Sequence, residues 1–299
     1  MRLYLISAIT IAAASATIGA RSMPSVPTEI PGRSLPVIRE HTYRMAGKIR
    51  MVMIWVGRDD VGSGVIKWRG AGSAKAIELL IGSDPKRAPG QLNKWGYLVE
   101  EMHGGESSVV GLISQENDER LSDVKAGLKT RTEQRAFDTI RGFAAAAEGA
   151  ARVGTLYAPS QLTYYDADTV LKSVLADASL PIKRVARAGD VRPGFLTSLT
   201  ELLAASIGKS NHTQRIKYVH GDRLFELRLN ETTPMARFER DGRTWQNVIR
   251  GRFDTREAGS RAGTRFELVY GASGPLTAIP IVISYQPKWW LQVDLVLNS

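Results

Sequence analysis

Few stretches of this 299-residue chain bring together side chains that could do chemistry. His103-Gly104-Gly105-Glu106-Ser107-Ser108-Val109 holds a base, paired glycines and two hydroxyls. A histidine near a serine is the minimum for nucleophilic attack, and adjacent glycines suit an oxyanion loop. His103 and Ser107 are therefore the one coherent pair for a hydrolase. The stretch lacks the closing glycine of a nucleophile elbow, and no helix follows it directly. A hairpin turn needs the same glycines and accounts for them better.

Paired carboxylates are the next chemistry to weigh, since glycoside hydrolysis uses two facing acids. Glu100 and Glu101 are neighbours on a strand pattern and so point to opposite faces. Asp59-Asp60 and Asp166/Asp168 sit where turns and helix starts favour Asp anyway. Metal ligation has little material: four histidines, no cysteine, and no close histidine pair among His41, His103, His212 and His220. His220-Gly221-Asp222 is explained by a turn. Gly62-Ser63-Gly64 and Gly70-Ala71-Gly72 lack the following helix that would present backbone N–H groups to phosphate. No catalytic residue, metal ligand or cofactor site is assigned.

The tryptophans are more suggestive. Trp55, Trp68, Trp95, Trp245, Trp289 and Trp290 all fall on or beside strand-like segments. Core packing explains most of them. The alternative is a ligand cavity on the concave side of a curved sheet, lined by Trp55, Trp68 and Trp289. Trp289 and Trp290 cannot both face inwards.

The elements that must position these residues come in three blocks. Residues 43–114 read as short strands with Gly/Asp/Pro turns, a meander with turns at Arg58-Asp59-Asp60, around residues 82–90, and at His103-Gly104-Gly105. Residues 118–151 are rich in Glu, Lys, Arg and Ala, with Phe137, Ile140, Ala144, Ala147 and Ala151 at helical spacing. Asp166 or Asp168 can cap a second helix along Val170, Leu171, Val174 and Leu175. Ser198 and Glu201 form a capping box for a third, with Gly208 at its C-cap. The last ninety or so residues return to strands, with Asp241-Gly242 the strongest hairpin signal. The expected fold is α+β and predominantly antiparallel β: a strongly curved or partly closed sheet with a helical insert at about 117–208.

The N-terminus specifies an address. Arg2 precedes an apolar run from Leu3 to Ala14, and Ala14-Ser15-Ala16 and Ile18-Gly19-Ala20 are both small-residue cleavage sites. Together they make a signal peptide over residues 1–20, cut after Ala16 or Ala20. The run is too short for a membrane span. A proline-rich extended leader follows over 21–40, and residues 41–299 read as one β-rich domain. Export without cysteine favours a bacterial periplasmic or secreted protein over a disulfide-rich secretory one. The formal charge of +10 points to anionic envelope partners. The basic residues are dispersed rather than clustered with aromatics, which argues against nucleic acid.

Three stretches carry a resemblance. They are Tyr43-Arg44-Met45-Ala46-Gly47, Tyr164-Tyr165-Asp166-Ala167-Asp168, and Leu276-Thr277-Ala278-Ile279-Pro280-Ile281 ahead of the last strand. In these the chain resembles the uncharacterised exported β-rich families of the bacterial periplasm. The resemblance implies export and a curved antiparallel sheet, and it implies no activity or site residues. The expectation is a non-enzymatic envelope protein binding an apolar or amphiphilic ligand, such as a lipid, or an anionic envelope component. The alternatives are an exported hydrolase and a structural part of an envelope assembly.

Overall fold

The computed structural model describes residues 32–51, 54–103, 106–113, 142–146, 150–155, 163, 165, 183–186, 190–209, 213–220, 223–288 and 291–298. The signal-peptide segment, the helix expected along 170–175, and Trp289 lie outside the described residues.

The first strands are β1 (Val37–Met51), β2 (Ile54–Ala71), β3 (Ala74–Ser83), β4 (Trp95–His103) and β5 (Glu106–Ile113). Next come β6 (Gly142–Ala146), β7 (Ala150–Thr155), β8 (Lys183–Ala186) and β9 (Val191–Arg192). One helix, α1 (Phe195–Ser206), leads to β10 (Gln214–His220), β11 (Arg223–Arg240) and β12 (Arg243–Glu257). The chain finishes with β13 (Gly263–Gly271), β14 (Pro280–Lys288) and β15 (Leu291–Leu297). They form one sheet in the order β8-β7-β6-β5-β4-β3-β2-β1-β15-β14-β13-β12-β11-β10-β9. Every pairing is antiparallel except β9 with β10. The first and last strands of the chain's β-rich halves thus meet at the β1–β15 junction, seven residue pairs long.

Two expectations are corrected here. Among the described residues the fold is nearly all β rather than α+β with a helical insert, and its sheet is open: the end strands β8 and β9 do not pair, and the sheet is neither closed nor strongly curled. The Ala-rich composition of 118–151 suggested helix, yet Ala144 pairs with Val110, and Ala151 with Val185, in ladders. Cross-strand pairing overrides modest helix propensity wherever a neighbouring strand offers its edge. The turn expected at Arg58-Asp59-Asp60 is also displaced. β1 and β2 connect between Met51 and Ile54, and the Arg-Asp-Asp stretch is a bulge inside β2. Register jumps there from Met45↔Gly62 to Gly47↔Arg58, and Asp60 takes φ 60°. Turn-favouring residues tolerate the same positive φ in a bulge as in a turn.

The Asp241-Gly242 hairpin forms as expected. Both residues have positive φ (52° and 74°), and they join strands paired from Arg240↔Arg243 outwards. That double positive φ is what a two-residue turn needs to match strand twist. α1 also forms, beginning three residues before Ser198. Its N-cap is Gly194, and the Ser198 hydroxyl donates back to the Gly194 carbonyl at 2.8 Å. Gly208 follows its end at φ 76°.

The core has two parts. One gathers Tyr43 and Met45 of β1, Val61 and Ile66 of β2, Ile281 and Val282 of β14, and Leu295 to Leu297 of β15. The other sits beneath α1, where Leu202 and Leu203 meet Leu227, Leu229, Phe253, Leu268 and Tyr270. Phe253 and Phe266 stack there with centroids 5.2 Å apart. Alternation along β11 and β12 puts charge on the opposite face. Glu226 accepts from Arg228 at 2.6 Å and Arg256 at 3.1 Å, and Arg252 bridges Glu231 at 2.8 Å. Many of the chain's arginines are thus rungs of cross-strand ladders.

Candidate functional site

The hydrolase candidates are not assembled by the strand register. His103 pairs with Glu106 and Ser107 with Met102, so His103 and Ser107 are not cross-strand partners. Of the cavity candidates, Trp55 and Trp68 both lie on β2, thirteen residues apart, about 40 Å along an extended strand. Trp68 is partly buried against the first core and meets His41 edge-on at 5.7 Å. Trp55 stands on the surface, 39% exposed. Trp55 and Trp68 thus stand towards opposite ends of β2.

Three buried carboxylates, Glu78, Glu100 and Asp294, have shifted pKa values, and each is committed to the fold. Glu100 of β4 is fully buried beneath the start of α1. Its Oε1 accepts from the Leu196 N–H at 2.8 Å and its Oε2 from the Thr197 N–H at 2.7 Å. Gly194 cannot cap the helix with a side chain, so a carboxylate from a distant strand does. Burial raises the Glu100 pKa, against the lowering effect of those hydrogen bonds. The Tyr218 hydroxyl nearby is also raised by burial, and it shares a 2.7 Å hydrogen bond with Thr255. The other end of α1 is tied down as well, Ser206 Oγ lying 2.7 Å from the Tyr270 hydroxyl.

Glu78 of β3 receives Arg33 Nε at 3.1 Å, Arg69 Nε at 2.9 Å and the Tyr97 hydroxyl at 3.0 Å. Burial opposes its ionisation, but the Arg33 and Arg69 guanidiniums outweigh it and hold the carboxyl below its ordinary range. Arg69 Nη1 also donates to the Leu35 carbonyl at 3.0 Å, so this cluster straps residues 33–35 across β2 and β3. Asp294 of β15 accepts from Arg240 Nη2 at 2.7 Å and Gln292 Nε2 at 2.7 Å, with Lys48 Nζ 3.5 Å away. Burial again works against ionisation, and the hydrogen bonds from Gln292 and Arg240 prevail. The β11–β12 turn is latched here, with Arg243 Nη1 donating to the Leu297 carbonyl at 2.9 Å and Arg44 to Asp241 at 2.5 Å.

Among the described residues, the far end of β2 pairs with β1 but belongs to neither core. Residues 54–60 are exposed without interruption, and β3 joins β2 only from Gly62 onwards. Ile54, Trp55 and Val56 are 69%, 39% and 52% exposed. Residue type alone points to Trp55 and not to Ile54 or Val56. The available signal is a run of six apolar residues from Met51 to Val56, which no one-sided sheet face can bury. Among the described residues no group of acids and histidines could hold a metal ion, and no helix is long and apolar enough to cross a membrane.

Comparison with known proteins adds little. No protein family matches the chain, and no curated protein does. Among solved structures, the chain is similar to a candidate lipoprotein from Parabacteroides distasonis ATCC 8503, with a TM-score of 0.30 and 8% identity. That alignment covers 90% of this chain and 98% of the other.

Proposed function

We propose that the chain is an exported, non-enzymatic protein of the bacterial envelope that engages an amphiphilic or anionic envelope component at its surface. The observation that carries this reading is the organisation of residues 1–20: a basic start, a short apolar run, and small residues at two cleavage positions. The lack of cysteine fits a bacterial route that builds stability from a core rather than from disulfides. The charge of +10 favours association with anionic lipid or glycan surfaces. Glu78, Glu100 and Asp294 support binding over catalysis, because their oxygens are taken up by helix N–H groups, guanidiniums and side-chain donors.

Mass spectrometry of organic extracts from natively purified protein tests the ligand part of this reading. Co-purified phospholipid or glycolipid is the expected result. Protein free of amphiphile, with ester or glycoside hydrolysis that disappears in Ser107→Ala and His103→Ala, would replace this reading with the hydrolase.

A further inference from the structure

The exposed end of the β1–β2 hairpin has a composition and geometry that suit immersion in a lipid surface. Opposed residues in an antiparallel pair share a face, and successive residues alternate. Ile49 is opposite Val56, and it is also opposite Leu291 of β15, so an aliphatic row crosses three strands. Ile54, two residues from Val56 along β2, lies on the same face. Trp55 is opposite Arg50 on the other face. Both faces of the hairpin end therefore present apolar surface to solvent.

That two-sidedness narrows the occupant. A protein docking on a sheet face needs one apolar side, and a strand added to the free edge needs mainly backbone. An element apolar on both faces is buried on both when it enters a fluid apolar phase end-on, and the unpaired cations behind it favour an anionic one. The charges behind it fit the same occupant. Lys48 and Arg50 follow on β1 and Arg58 on β2, and among the described residues neither Arg50 nor Arg58 belongs to an ion pair. Arg58 lies four residues behind Ile54, about 13 Å along the strand, close to the depth of a headgroup layer over the acyl boundary. Tryptophan and arginine are the residues that settle at this boundary, ring or stem in the apolar layer and polar atoms at the headgroups. Asp59 and Asp60 come next, with Asp60 paired to Arg87, and they limit the depth of entry.

We infer that Ile54, Trp55 and Val56 form a wedge that inserts into the surface of an anionic phospholipid bilayer, with Arg50 and Arg58 gripping its headgroups. This rests on the envelope reading only for where the protein meets a bilayer. Vesicle binding is scored on purified protein and export in cells, so either can fail without the other.

The test is co-sedimentation with phosphatidylcholine vesicles, with and without about a third phosphatidylglycerol. Wild type is expected to bind the anionic vesicles, to bind neutral ones far more weakly, and to release as salt screens the headgroups. Ile54→Asp/Val56→Asp and Arg50→Glu/Arg58→Glu are each expected to weaken binding roughly tenfold or more. The Asp double variant and Arg58→Glu alone should melt like wild type, because Ile54, Val56 and Arg58 are exposed. Arg50 is half-buried, so Arg58→Glu alone should already weaken binding and serves as the check on the Glu double variant. Vesicles with brominated acyl chains should quench part of the tryptophan fluorescence, and a smaller part in Trp55→Phe. Three results would overturn the inference: no binding to anionic vesicles, unchanged binding by the Asp double variant, or a dimer in sedimentation velocity that the same variant dissociates. The last would make the wedge a contact between two copies of the chain.

Discussion

Replacing Glu100 by alanine should be among the most damaging single changes to this protein. The substitution strands the Leu196 and Thr197 N–H groups in a buried position, having removed acceptors at 2.8 and 2.7 Å. Each unsatisfied buried donor costs about 1–3 kcal/mol. Loss of a negative charge at a helix N-terminus adds about 0.3–1 kcal/mol. Relief from burying a carboxylate offsets part of this, leaving roughly 3–5 kcal/mol, a large share of a typical domain's stability of about 5–15 kcal/mol. Gly194 supplies the control. Its φ of −165° suits any residue, but a Cβ there would stand 2.2 Å from Glu100 Oε1. Gly194→Ala should therefore be costly in wild type and much cheaper in Glu100→Ala, where the obstructing oxygens are gone. Urea denaturation followed by circular dichroism gives all four corners of this cycle. A cost for Glu100→Ala below about 1 kcal/mol, or a Gly194→Ala cost that is the same in both backgrounds, would refute the assignment of Glu100 as the helix's cap.

The same carboxylates set the pH response. Glu78 and Asp294 have lowered folded pKa values, so the stability they contribute is present above their ordinary range and lost as pH falls through the folded values. Glu78→Gln and Asp294→Asn should flatten that acid limb in denaturation curves taken across pH. Glu100 acts with opposite sign: its raised pKa makes stability fall as pH rises above the ordinary glutamate value, and Glu100→Gln should remove that component. Two glycines separate space from conformation. Gly242→Ala has free room but φ 74°, so it should cost about 1 kcal/mol. Gly62→Ala should cost more, because its Cβ would lie 2.2 Å from the Gly82 carbonyl oxygen, and equal melting-point losses would contradict this.

Local chemistry made some of this fold legible. Asp241-Gly242 and the α1 stripe of Leu199, Leu202 and Leu203 carry their signals within a few residues, and both form. The sheet order does not, since the pairing of β1 with β15 joins segments some 250 residues apart without any local mark. The Ala-rich middle misled for the same reason: Ala144 sits in a strand because β5 pairs with it. Arg58-Asp59-Asp60 reads as a turn because a bulge and a turn ask for the same residue types. Glu100 looked idle in the sequence because its partners are backbone N–H groups nearly a hundred residues later. Trp55 was visible by type, but its isolation from Trp68 depends on how far β2 runs. The exposed wedge exists because β3 joins β2 only after the bulge, a long-range pairing with no local mark.

Export to the bacterial envelope is tested most directly by fractionating cells that produce the full chain and sequencing the protein's N-terminus in each fraction. The expected result is a periplasmic, envelope or secreted form beginning at Thr17 or Arg21, one residue beyond Ala16 or Ala20. A chain that retains Met1 to Ala20 and stays in the cytosol would contradict it.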